Sequence, residues 1–128
     1  WTYLPSRFDE RKWMYFTSLK SLEAITVIQD TIQPLIEHIF PGNGGSYSFE
    51  DVQEIQASIR DELAGIEGDE AISITLDDKK LLFEYHPIKK EVTFRLKTPL
   101  ESGDHNLVIT AEDQVGNTSS EEIRFNIR

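Results

Sequence analysis

Cysteine is absent from the 128 residues, which removes disulfides, thiolate zinc sites and cysteine nucleophiles together. Small secreted eukaryotic domains usually carry disulfides, so the absence favours a bacterial exported module or a cytosolic protein. No apolar run approaches the ~18 residues that cross a bilayer as a helix, and membrane insertion is not expected. The opening Trp1-Thr2-Tyr3-Leu4 carries neither a methionine nor a basic-then-apolar export signal, and is expected to be an internal edge of a longer precursor. Positive charge is the scarce sign. Thirteen Lys and Arg against 23 Asp and Glu leave a formal net charge of −10. Such a surface repels phosphate backbones and anionic headgroups, so neither nucleic acid nor lipid is an expected partner. Its ordinary role is to keep an exported protein in solution.

The acidity is unevenly spread. Residues 1–30 balance Arg7, Arg11, Lys12 and Lys20 against Asp9, Glu10, Glu23 and Asp30, so the whole excess lies in residues 31–128. The same first segment is dense in aromatics: Trp1, Tyr3, Phe8, Trp13, Tyr15 and Phe16. It reads as strands at 1–4, 13–17 and 24–28, with a turn from Pro5 to Lys12. So small an aromatic sheet is marginal alone. Residues 1–30 are therefore expected to be the last strands of an upstream β domain, or to pack on the following one, and to end in a hinge, Asp30-Thr31-Ile32-Gln33-Pro34, where proline ends any ladder.

From Pro34 onward apolar residues alternate with period two, the pattern of half-buried antiparallel strands. Strands are expected at 35–40, 54–60, 72–76, 81–85, 91–96, 105–113 and about 123–127. Their inward faces would carry Ile55, Ala57 and Ile59; Ile72, Ile74 and Leu76; Val92, Phe94 and Leu96; Leu107, Ile109 and Ala111; and Ile123, Phe125 and Ile127. Seven short, β-branched stretches broken by Gly and Pro point to an all-β antiparallel sandwich over residues 31–128. Gly65, Gly103 and Gly116 suit sharp turns. Asp113 and Asn117 can close the last hairpin through their side chains. His105 opens its strand on the inward parity, so a packed, hydrogen-bonded imidazole is expected there.

Three landmarks occur in order: Asp61-Glu62-Leu63-Ala64-Gly65-Ile66, then Ile74-Thr75-Leu76-Asp77-Asp78-Lys79, then Leu100-Glu101-Ser102-Gly103-Asp104-His105 running on to Asp113-Gln114-Val115-Gly116-Asn117. Together they resemble the immunoglobulin-like β-sandwich domains of bacterial exported proteins. The resemblance implies a periplasmic, cell-surface or secreted location. With the Asp30–Pro34 hinge, the chain is also similar to C-terminal modules of lysostaphin-type zinc metallopeptidases, adhesins and polysaccharide-active enzymes. The H-x-x-x-D and H-x-H motifs of that peptidase family are not in this chain.

Catalytic patterns are missing. His38, His86 and His105 share no ligand spacing, Ser46, Ser48 and Ser58 lack a nucleophile elbow, and Gly42-Asn43-Gly44-Gly45 precedes no helix or Lys-Ser/Thr. Acidic residues crowd one loop, Asp61, Glu62, Glu67, Asp69 and Glu70. Hard cations take oxygen ligands there, so calcium is the one cofactor to weigh against plain solvated carboxylates. The expected function is a non-catalytic spacer or interaction module. Its partners would be neighbouring domains of the same chain, or a cell-surface protein or polysaccharide. The alternatives are an accessory domain of a cell-wall zinc metallopeptidase, and a carbohydrate-binding module presenting Trp1, Tyr3, Trp13 and Tyr15 as a stacking platform.

Overall fold

A computed structural model describes residues 3–21 and 24–128. Strands β1 (Arg7–Asp9) and β2 (Met14–Phe16) form a separate antiparallel pair, with Phe8 opposite Tyr15. Asp9 sets the turn, its Oδ1 accepting the N–H groups of Arg11 (3.0 Å) and Lys12 (3.2 Å). Phe8 packs edge-on against Trp13 and tilted against Tyr15. β1 therefore forms within the stretch expected to be a turn, and β2 within the strand expected at 13–17. Of the strand expected at 1–4, Trp1 and Thr2 lie outside the described residues, and Tyr3 and Leu4 have no regular structure.

The strand expected at 24–28 is irregular, with Ile25, Val27 and Ile28 57%, 81% and 52% exposed. β-Branched composition favours a strand only where a neighbour takes up the backbone groups. Among the described residues no strand pairs with this stretch.

The rest of the described chain forms two sheets. One takes the order β3 (Leu35–Phe40), β5 (Glu54–Arg60), β9 (Glu91–Arg95), β8 (Glu84–His86). The other runs β4 (Ser46–Tyr47), β11 (Thr118–Ile127), β10 (Gly103–Glu112), β6 (Ile72–Leu76), β7 (Lys79–Lys80). Neighbours are antiparallel except β4 and β11, which are parallel. Each of the seven expected stretches overlaps a strand, and the two-residue β4 and β7 extend the edges of the second sheet.

Alternation places one face of each sheet in a common core. Ile36, Ile55, Ala57, Ile59 and Val92 come from the first sheet. Ile72, Ile74, Leu76, Leu107, Ile109, Ala111, Ile123, Phe125 and Ile127 come from the second. Phe94 and Leu96, expected inside, are half-buried at the margin. The stretch 81–85 departs further. Leu81 N–H donates to the Ile74 carbonyl (2.9 Å), Leu82 is 90% exposed, and the strand begins only at Glu84. Residues 81–83 cross from one sheet to the other, which interrupts the period. No helix among the described residues is long and apolar enough to cross a membrane.

Ile109 is wholly buried and Trp13 is 83% exposed. Urea unfolding should find Ile109→Ala destabilised by about 2–5 kcal/mol. Trp13→Ala should stay within about 0.5 kcal/mol of the parent.

Candidate functional site

Three segments meet at the end of the sandwich where β3 begins: the approach to β3, the loop leaving β5 and the β10–β11 turn. Each contributes one aspartate. Asp30, Asp61 and Asp113 each present a carboxylate oxygen, and these oxygens lie within 4.8 Å of one another. Asp113 is only 5% exposed, while Asp30 and Asp61 are half-buried.

The two loops use the same local device. Asp61 Oδ1 accepts the N–H groups of Leu63 (3.1 Å) and Gly65 (2.6 Å), two and four residues on. Asp113 Oδ1 accepts those of Val115 and Asn117, both at 2.9 Å and again two and four residues on. A carboxylate bonded to its own downstream backbone competes with the ladder and ends the strand. Gly65 and Gly116 supply the positive φ, +79° and +92°, that folds each loop back. Asn117 then closes the hairpin, donating Nδ2–H to Asp113 Oδ2 at 2.7 Å.

Asp30 joins the cluster from outside the sheets. Its Oδ1 accepts from Ile32 N–H and its Oδ2 from the buried Ala64 N–H, both at 2.9 Å. The Asn117 side chain reaches the Asp30 carbonyl at 3.4 Å. Gln114 stitches the loops together, its backbone N–H on the Gly65 carbonyl (3.1 Å) and its Nε2 on that of Ala64 (3.0 Å). The entry segment is thus tied to both loops by named bonds.

The electrostatics are one-sided. Among the described residues no ion pair reaches Asp30, Asp61 or Asp113; nearby Arg60 pairs with Glu37 (3.4 Å) and Glu62 (3.0 Å) instead. Asp61 Oδ2 is fully buried and has no hydrogen-bond donor. A buried acceptor without a partner destabilises the fold, and a metal ion bridging the three carboxylates would supply one. The donor set is all oxygen, which suits a hard cation such as calcium or magnesium.

Of the residues expected to form an acidic cation loop, only Asp61 belongs to this group. Glu62, Glu67, Asp69 and Glu70 are exposed, the last two on a single 3-10 turn. Crowding along the sequence separated them from Asp61's true neighbours, which lie 31 residues before it and 52 after. The available signal was that Asp30, Asp61 and Asp113 each open a turn motif already singled out. Gly103, with φ +136°, starts β10 at the opposite end of the sandwich. No protein-family model matches the chain, and no curated protein matches it in sequence.

Replacing Asp113 by alanine orphans the N–H groups of Val115 and Asn117. The expected loss is about 2–4 kcal/mol in urea unfolding. Asn117→Ala, which keeps Asp113 Oδ1 bonded to the backbone, should lose only about 1 kcal/mol.

Proposed function

We propose that the chain is a non-catalytic spacer and interaction module of an exported bacterial envelope protein, built on an immunoglobulin-like sandwich. Strand order supports the fold reading. Counting the seven longer strands from β3, the sheets run first-second-fifth-fourth and third-sixth-seventh, the arrangement of the immunoglobulin constant type.

The observation that carries the spacer reading is the Asp30 tether. The chain reaches the sandwich at the end holding the three aspartates, while β11 finishes at Ile127, opposite Gly103 at the other end. A module entered and left at opposite ends, with its entry segment bonded down, holds flanking segments apart in a fixed direction.

The edge of the second sheet suits the same role. Parallel β4 is bonded to β11 through Gly44 N–H to the Arg124 carbonyl (2.7 Å), Asn126 N–H to Gly45 (2.9 Å) and Arg128 N–H to Tyr47 (2.9 Å). Tension that pulls β4 and β11 in opposite directions loads these bonds together, in shear.

Calcium at Asp30, Asp61 and Asp113 would strengthen the tether by cancelling the repulsion among the three carboxylates and partnering Asp61 Oδ2. Two measurements test the reading. Amide exchange should show the Ala64 N–H deprotected in Asp30→Ala; unchanged protection there would remove the tether and the spacer reading with it. Thermal melts should show a higher Tm in calcium than in EDTA, by about 2.7 kcal/mol of stability at a hundred times the Kd. Asp61→Asn should abolish that difference. Equal melting of the parent in millimolar calcium and in EDTA would remove the ion and leave the tether standing.

A further inference from the structure

The opposite end of the sandwich is held by His105, the third residue of β10. Its side chain is 9% exposed and stacks on Phe125 of β11, ring centroids 5.4 Å apart and planes 27° from parallel. Nδ1 lies 2.7 Å from Asp77 Oδ2, in the β6–β7 turn. Nε2 lies 2.8 Å from the carbonyl oxygen of Glu101, in the segment leading to β10.

Both neighbours are acceptors. A carbonyl oxygen has no proton to give, and Asp77 is held as the carboxylate. Burial would raise its pKa, but the Asn106 N–H at 2.9 Å, the His105 bond and charge, and Lys79 together hold it below the ordinary value. A neutral imidazole has one N–H and can satisfy only one of two acceptors; the imidazolium satisfies both.

We propose that His105 is a pH-sensitive pin: as the imidazolium it ties the Asp77-Asp78 turn and residues 97–102 to β10, and on losing a proton it releases residues 97–102.

The choice of released partner follows from acceptor strength. When one proton leaves to solvent, the remaining N–H stays on Nδ1, facing a charged carboxylate. The bare Nε2 lone pair then faces the Glu101 carbonyl, and that contact turns from attractive to repulsive. Asp77 stays in place, because its Oδ1 still accepts from Asn106 and its positive φ of +50° belongs to a two-residue turn closed by Leu76 and Lys79.

The surrounding charges all favour the protonated ring. Asp77 faces it from the turn and Asp104 from its own strand, Asp104 being held by Asn126 Nδ2 at 2.7 Å. Glu101 contributes its carbonyl and β11 the uncharged Phe125 ring. Burial pushes the imidazole down, yet the bonds to Asp77 and Glu101 and the charges of Asp77 and Asp104 outweigh it and hold the pKa above the ordinary value. The folded state therefore keeps the proton more tightly than the unfolded chain. The pin's stabilisation is complete below a free imidazole's pH of about 6.5 and is lost as pH rises through the folded value.

The test is an NMR titration of the intact chain, following the ring nitrogens of His105 and the heteronuclear NOEs of the Leu100, Glu101 and Ser102 amides. Both nitrogens should carry protons at pH ~6.5, the midpoint of a free imidazole, and the ring should titrate above it. Through that titration the NOEs of Leu100, Glu101 and Ser102 should fall as the segment loosens, while the Asn106 amide, bonded to Asp77, keeps its value. Asp77→Asn keeps an acceptor for Asn106 but removes the charge, and should lower the His105 midpoint by about one unit. A ring that titrates at or below the free value, or that carries one proton where the proposal requires two, overturns the pin. Unchanged NOEs at Leu100, Glu101 and Ser102 across the titration overturn the release.

Discussion

The pairing of β10 with β11 holds both ends of the sandwich in place. Their register runs unbroken from Gly103 opposite Ile127 to Glu112 opposite Thr118. A slip of β11 by one residue would turn Ile123, Phe125 and Ile127 out of the core at once. The register is set at the turn, where Asp113 accepts from Val115 and Asn117 and its own N–H donates to the Asn117 carbonyl (3.0 Å). From that turn the pairing carries outward to place His105 opposite Phe125. One buried carboxylate thus fixes the ribbon on which the aspartate cluster and the histidine pin both sit.

The two ends solve a common problem with opposite charge. In each, loop backbone must leave the sheets without abandoning its hydrogen bonds, and an aspartate supplies the acceptor. At the β3 entry three carboxylates converge with no cationic side chain bonded to them among the described residues. At the β11 exit Asp77 bonds an imidazole that becomes the cation. The first arrangement would gain from an added ion, the second from an added proton.

The sandwich was legible from residues because its strands are two-state in pattern: inward Ile72, Ile74 and Leu76, outward Ser73 and Thr75. Period two survives wherever a strand has neighbours on its sheet and a core beneath it. It fails at Leu81-Leu82-Phe83, where an apolar run serves a crossing between sheets, and at Ala24–Ile28, where β-favouring residues find no partner strand among the described residues. The aspartate cluster was legible only in part. Asp61 and Asp113 could be read as turn-closing residues from spacing within their own loops. Their meeting with Asp30 depends on the sheet order, which brings the β5 exit beside the β10–β11 turn, and no local spacing carries that information.

Separation keeps the two ends independent. Ten residues of β10 at ~3.3 Å each place them about 30 Å apart, several times the ~8 Å screening length at physiological salt. A charge bound among the aspartates therefore leaves the His105 equilibrium nearly untouched through solvent. Coupling would have to pass along the strand itself, and a core of close-packed Ile, Leu and Val side chains resists that displacement. A cation at the aspartates would then stiffen the segment that enters this rigid frame, while loss of the His105 proton frees residues 97–102 beside the strand that leaves it.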